Sequence, residues 1–415
     1  MKKRDPIVVI GGGAAGLAAA IFAARRVGGE HVLVLEKQPR VGKKLLATGN
    51  GTCNLSNIQA DVSHYHGVDP SFVKSALKQF SPDDARAFFH SVGLCTVVRE
   101  DGRIYPLCAQ ASAVLDCLRM ELDRLGVGVR CDTTVTALKP DRNGVTVETE
   151  TASIRALVVL MAAGGAASAS LGGSAEVYRL LTDLGHVKTP LFPAIVQIRT
   201  DRDAVKAVKG IRVDAALTLN LDGREVAASE GEILFADYGV SGPAAMLIGR
   251  AAADWERRKK GVMMLSLDVL PTLSAKELMC DLDGRCATNP SRTLEDLLTG
   301  LLQKRLAQTI LKAAGFALSA TASSLSSSDK ARIVNTLKNW SLPVTGSAGM
   351  NATQVTAGGL ETRGFDARTM ASKLVPHLYA AGEVLDIDGD CGGFNLQWAW
   401  SSAYAAATAM TEEWL

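Results

Sequence analysis

Ile7-Val8-Val9-Ile10-Gly11-Gly12-Gly13-Ala14-Ala15-Gly16-Leu17-Ala18-Ala19-Ala20 decides how this chain is read. Four successive apolar residues read as a short strand buried on both faces. Gly11-x-Gly13-x-x-Gly16 then turns the chain into an Ala-rich helix, expected over 14–26. In such a turn the first glycine permits the bend and the second lets the backbone approach a pyrophosphate. The third lets helix and strand pack closely. Free N–H groups and the positive end of the helix dipole complete a site for an anion. A second buried strand, 31–36, ends in Glu36, 20 positions after Gly16. A carboxylate there takes ribose hydroxyls and disfavours a 2′-phosphate, which points to FAD or NAD rather than NADP.

The same stretch imitates an export signal, because Met1-Lys2-Lys3-Arg4 is basic and residues 6–24 carry no charge. The glycines at 11, 12, 13 and 16 would break a continuous apolar helix. The uncharged run 156–175 fails as a membrane span for the same reason, since it holds four glycines and three serines. The expectation is a cytoplasmic protein without a membrane segment.

Composition narrows the field further. Of 415 residues, 47% are apolar and 21% charged, which rules out wholesale disorder. With 45 Lys+Arg against 43 Asp+Glu, the net charge of +2 predicts no nucleic-acid partner held by bulk charge. The eight cysteines show neither a CxxC pair nor zinc-like spacing and read as reduced thiols. No metal site is expected. Asp386, Asp388 and Asp390 alternate, but Cys391 stands where a calcium loop needs glycine and Gln397 where it needs Glu. His64 and His66 lack a third ligand and read as surface residues.

Beyond the opening unit, the pattern predicts helices around Pro82, with Ser81 as cap, and over 111–125. Strands are expected at 127–131, 133–139, 144–149 and, as one buried strand, 154–161. After about Pro190 the character changes. Strands at 194–200, 212–220 and 263–268 suggest a mixed or antiparallel unit, and 275–340 reads as mainly helical with a Ser-rich loop at 321–328. The β pattern returns near Val355, and 395–413 reads as a closing helix. The chain therefore reads as an α/β FAD-binding domain in two parts, 1–190 and 346–415. An inserted domain over 191–345 separates them, with a β part to about 270 and a helical part from about 271.

Two segments favour FAD over NAD. Residues 42–57, GKKLLATGNGTCNLSN, are rich in small polar residues and backbone donors, as a long cofactor needs near its second half. Tyr379-Ala380-Ala381-Gly382-Glu383 ends a strand, and Gly392-Gly393-Phe394-Asn395-Leu396-Gln397 opens a helix. A positive helix end suits the flavin edge that becomes negative on reduction. No second strand–GxGxxG–helix unit exists, so a dedicated nicotinamide domain is not expected. NAD(P)H would dock transiently at the flavin.

GGGAAGLAAA, GKKLLATGNGTCNLSN, GEILFADYGVSGPA and LYAAGEVLDIDGDCGGFNLQWAWSSAYAA together resemble the BaiN/RdsA-like NAD(P)/FAD-dependent oxidoreductases, also described as aminoacetone-oxidase-like or bile-acid-reductase-like flavoproteins. The resemblance runs from Ile7 to about Ala407. It implies a glutathione-reductase-type FAD domain split by an insert, and one non-covalent FAD. By this resemblance Gly11, Gly13, Ala14, Ala15 and Gly16 would hold the pyrophosphate, and Glu36, with Lys37 beside it, the ribose. Lys44, Cys53 and Asn54 would lie along the flavin half. Val135 would present its backbone to the adenine, and Ala163 and Gly164 would close the other side. Gly382 and Glu383 would hold the ribityl–phosphate region, and Phe394, Asn395 and Leu396 the pyrimidine edge. The chain departs from the family at Thr52 (for Arg), at Ala163 (for Thr) and at Ala236-Asp237 (for Thr-His), where substrate choice would be set.

The activity implied is hydride transfer between flavin N5 and a small organic substrate. Asp237 and Tyr238 are the candidates for handling the proton. Cys53 and Cys391 read as packing and turn residues. Trp398 and Trp400 are two apart and face different ways on a helix, so one is expected to pack on the core. The competing readings are a flavin-dependent RNA-modifying protein and a non-catalytic flavin redox sensor.

Overall fold

Ile7–Ile10 forms the middle strand of a five-stranded parallel sheet. Its order is Leu378–Ala380, Val158–Met161, Ile7–Ile10, Val32–Leu35, Gly128–Arg130. Ile7 stands opposite Val158 on one side and Val32 on the other. The middle strand and its Val158–Met161 neighbour are buried along their whole length, as an apolar run without alternation requires. The edge strand Gly128–Arg130 is exposed throughout. The computed structural model that gives this description covers residues 4–415.

Helix Ala14–Val27 packs on this sheet, against helix Ala111–Leu125 and against the closing helix Phe394–Trp414. Its alanines permit the close approach, and Phe22 fills the remaining gap against Phe80, Phe88 and Tyr404. Helix Pro82–Ser91 begins at Ser81 with a reciprocal capping box to Asp84, so two orphan N–H groups are satisfied.

The chain divides into two units, each with its own core. One carries the chain up to Phe192 and again Thr353–Leu415; the other is Pro193–Ala352. In the second unit six strands close an antiparallel barrel: Ile198–Thr200, Gly239–Ser241, Arg224–Ala236, Arg212–Leu221, Met263–Asp268 and Trp340–Ser347. The alternation Met263, Leu265, Leu267 puts every second side chain inside. Helix Pro243–Arg258 packs on the barrel. Helices Ala275–Thr288, Lys304–Ala313 and Ser327–Lys338 form the helical part.

Three expectations are corrected. Residues 154–161 are two strands, Ser153–Ala156 and Val158–Met161, because the chain changes sheets at Leu157: the first pairs antiparallel with Gly144–Thr149, the second enters the parallel sheet. The barrel strand Arg224–Ala236 escapes pattern reading because its exposed first half, Arg-Glu-Val-Ala-Ala-Ser-Glu, holds a single large apolar residue. The end of the Ser-rich stretch is no loop, since Ser326 caps helix Ser327–Lys338 through a capping box with Asp329.

Candidate cofactor site

The glycine turn supplies the first wall. Gly11 takes φ +107°, a conformation that favours glycine, and an added Cβ would come 2.5 Å from the Ala162 carbonyl oxygen. A Cβ on Gly16 would overlap the Gly11 carbonyl oxygen, so this glycine is needed for close helix–strand contact. Gly13 is different: its φ is −87° and an added Cβ would meet nothing within 4 Å. Gly13 is the N-cap of helix Ala14–Val27, without a side-chain cap, and the first intrahelical bond is Leu17 N to the Gly13 carbonyl. The N–H groups of the first turn therefore have no intrahelical partner.

These groups face a cavity of about 610 Å3 lined entirely by the first unit, within the ~300–1,000 Å3 range usual for ligand pockets. The cavity runs from Gly11–Ala15, past Glu36, Lys37 and Val135 on one side, and past Ala163, Gly164, Gly382 and Glu383 on the other. It continues to Asn395 and Leu396 at the start of the closing helix. Lys37, Arg40, Lys43, Lys44 and Arg179 line it against Glu36, Glu176 and Glu383, five cations to three carboxylates. That excess suits a pyrophosphate.

Both Glu36 oxygens accept backbone N–H groups, from Gly12 at 2.7 Å and from Gln38 at 2.8 Å. The acid thus braces the glycine turn and keeps one lone pair per oxygen for a further donor. Lys44 Nζ reaches Glu383, which also accepts the Thr356 N–H at 2.8 Å. Gly382 packs on Ala15, and its backbone is pinned from the closing helix by Ser402 Oγ (3.0 Å) and Trp398 Nε1 (3.2 Å). Trp398 and Trp400 are both fully buried, and Trp400 Nε1 donates to the Leu55 carbonyl at 2.9 Å. The expectation of one packed tryptophan falls short because the closing helix is buried on nearly all sides.

Four expected site residues lie behind the lining. Gly16 packs helix on strand, and Phe394 is buried with its ring stacked on His64. Cys53 is buried, and burial pushes its thiol up to about 12 against a smaller opposing hydrogen bond from Thr48. Asn54 Oδ1 is buried and has no partner among the described residues. The loop that carries these last two residues is strained: Gly49, Asn50, Gly51 and Cys53 all have positive φ, and two of them are not glycine. A Cβ on Gly393 would meet Asn54 Oδ1 at 2.8 Å, so this acceptor sits beside the uncapped start of the closing helix.

Asp237 and Tyr238 belong to the other unit, in the hairpin turn between the paired Ala236 and Gly239. Neither lines the cavity. Asp237 is half exposed and bound to Lys209 Nζ at 2.9 Å, which holds its carboxyl below the usual range. An acid kept ionised in this way is a poor proton donor. His64 and His66 are not free surface groups either: both bond to Asp390. His64 ends a short 3-10 turn and His66 lies on the strand Tyr65–His66, so no strand alternation in the sequence marks them as a pair. Nothing in the sequence marks Thr356, Gln354 or Arg179 as neighbours of the cavity.

Comparison with known proteins gives the chain's family and fold. The profile of a family described as HI0933-like protein Rossmann domain matches residues 5–409. A 3-dehydro-bile acid delta(4,6)-reductase of Clostridium scindens is 37% identical over 98% of this chain and 99% of its own length. A ribosomal RNA dihydrouridine synthase of Haemophilus influenzae is 28% identical over the full length of both chains. The solved 3-ketosteroid delta1-dehydrogenase of Sterolibacterium denitrificans shares the fold, with a TM-score of 0.52 at 13% identity over 98% of this chain and 99% of that one.

Proposed function

The chain belongs to the HI0933-like Rossmann family, and on that premise we propose that it is an FAD-dependent oxidoreductase acting on a small organic substrate. One observation carries the reading: a single cavity reaches two uncapped helix starts, lined by Gly13 at the first and, at the second, by Asn395 and Leu396 just past the Gly393 N-cap. The first has open space where a side chain would stand, as a pyrophosphate requires. The second adjoins the unpartnered Asn54 Oδ1. Helix N–H donors beside a lone acceptor match a flavin pyrimidine edge, which carries carbonyl oxygens and an imide N–H. The residues present therefore fit FAD.

Bound FAD would supply the two-electron chemistry, hydride exchange with the substrate. The chain's own residues bind and orient. The Gly11–Ala15 backbone would hold the pyrophosphate and Glu36 the ribose. Lys44 would keep Glu383 in place on the cavity wall, and the first N–H groups of the closing helix, with Asn54 behind them, would fix the ring edge. Ile387, Leu396 and Leu45 line the same cavity and keep water from it.

For the substrate we favour a compound with a carbon–carbon double bond conjugated to a carbonyl. A 3-dehydro delta(4,6) bile acid, the compound in one relative's name, contains that bond, and the dihydrouridine named for the other is what saturating such a bond in uridine gives. A small molecule is the first reading, since the 37% relative is a bile acid reductase. The 28% relatives support RNA as the second. The decisive experiment is a visible spectrum of the purified protein, followed by anaerobic NADH or NADPH. A flavin band that bleaches, and returns on adding a conjugated enone, supports the reading. Absence of a flavin band after reconstitution overturns it. Return of colour with uridine-containing RNA alone selects the second reading.

A further inference from the structure

Asp390 joins two imidazoles. Its Oδ2 lies 3.1 Å from His64 Nδ1 and its Oδ1 lies 2.7 Å from His66 Nε2. Its backbone N–H donates to the His64 carbonyl at 2.9 Å. Burial of Asp390 works against its ionised form, and the bonds from His66 and His64 outweigh that and lower its pKa. Asp61 and Tyr65 on the histidine side, and Cys391 with Arg103 acting on it, are the titratable neighbours.

This cluster stands at a weak point of the cavity wall. The turn that leads into the closing helix contains Gly392 and Gly393, at φ +151° and +101°, which have little stiffness of their own. The turn is fixed by Asn57 Nδ2, which donates to the Gly392 carbonyl at 3.1 Å, by the short strand of His66, and by contacts within the turn itself. Tyr65 and His66 pair with Gly389 and Asp388. Tyr65 Oη donates to the Phe394 carbonyl at 3.0 Å, and the His64 ring stacks on Phe394 at 4.2 Å. The Asn395 side chain is used up inside the turn, accepting from Gly389 N at 2.8 Å and donating to the Gly389 carbonyl at 2.7 Å. Asn395 therefore has only its backbone left to offer the cavity it lines.

We propose that Asp390, held by His64 and His66, is a positioning residue: it locks the glycine turn so that the first N–H groups of the closing helix stay aimed at the ring edge of bound FAD. Preorganised backbone donors act on a developing charge only when their support is rigid. The inference rests on the FAD reading above.

The test compares Asp390→Ala, Asp390→Asn and His66→Gln in the full chain. Three readouts are taken: amide hydrogen exchange of residues 388–396 without FAD, FAD affinity by titration, and the reduction potential of the bound flavin. Asp390→Ala is expected to speed exchange in that segment at least tenfold. It should also weaken FAD about tenfold and lower the potential. Asp390→Asn keeps an oxygen acceptor and an N–H donor for the two rings and should recover most of the affinity. His66→Gln should fall between, and it replaces Asp390→Ala if that variant does not fold. Unchanged exchange, or faster exchange with FAD affinity within twofold of wild type and an unshifted potential, overturns the proposal. A wild-type chain that takes up no FAD overturns the FAD reading and the cofactor half of this one. The exchange measurement distinguishes the two failures, because it needs no flavin.

Discussion

Lys44 Nζ lies 2.7 Å from Glu383 Oε2 and 3.0 Å from Oε1, tying the loop that follows the second strand to the turn that follows the last strand of the sheet. Both side chains line the cavity and are largely covered. Removing the lysine leaves Glu383 with one backbone donor and takes one cation from the cavity. Lys44→Met should weaken FAD binding about tenfold, or ~1.4 kcal/mol. It should cost the FAD-free chain about 1 kcal/mol or less, since partly exposed ion pairs contribute little. Flavin titration and thermal unfolding, run side by side, check both figures. An equal loss in both would make the pair structural only.

Two glycines of one motif should fail in opposite ways. A methyl on Gly16 overlaps the Gly11 carbonyl, so Gly16→Ala should cost about 1–3 kcal/mol of stability even without FAD. A methyl on Gly13 meets nothing in the protein. Gly13→Ala should leave the FAD-free chain within about 0.5 kcal/mol of wild type and weaken FAD strongly. Denaturant unfolding and flavin titration of both variants decide the matter.

Cys53 is buried and its thiol is pushed up to about 12, while Cys95, Cys108 and Cys280 are exposed. Thiolate is the nucleophile. Brief iodoacetamide treatment of the native protein at pH 8 should label the three exposed cysteines and spare Cys53. Peptide mass spectrometry reads the result. Labelling of Cys53 at the rate of Cys280 would contradict its placement.

Glu121 is buried in helix Ala111–Leu125 and accepts from Arg124 (2.7 and 3.0 Å) and Arg25 (3.0 and 2.8 Å). The Arg124 hydrogen bonds lower its pKa most; burial opposes them, and Arg25 adds to the lowering. A folded-state pKa below the unfolded one stabilises the protein above the unfolded value of 4.5, and that gain is lost as pH falls through the folded value. Glu121→Gln should therefore destabilise by about 2 kcal/mol at pH 7. The gap to wild type should shrink steadily below pH 4.5. Thermal unfolding at pH 7 and at pH 3 measures both ends.

Much of the cavity wall around the glycine turn could be read from local sequence. Gly11 is constrained by backbone conformation, and Gly13 and Glu36 by spacing along one strand–turn–helix–strand unit, and those constraints are short-range. Gly382 and Asn395 were legible for the same reason, as a glycine after a strand and a residue in the first turn of a helix. The partners of His64 and His66 were not. Asp390 lies more than 320 positions away, and only the pairing of Tyr65–His66 with Asp388–Gly389 brings it to them. Asp237 looked chemical in sequence because it stands in a distinctive motif, and the hairpin that holds it gives it Lys209 instead.

The sequence by itself determined the α/β class, the buried parallel strands and the glycine turn, because periodicity, glycine placement and helix starts depend on neighbours within a few residues. Only the tertiary structure decided what the long-range contacts decide. These are the Lys44–Glu383 tie, the barrel closure between Ile198–Thr200 and Trp340–Ser347, the burial of both tryptophans, and the Asp390 clamp on the closing helix. Each joins segments whose separation along the chain leaves no local signature, and whose meeting is set by sheet order and packing.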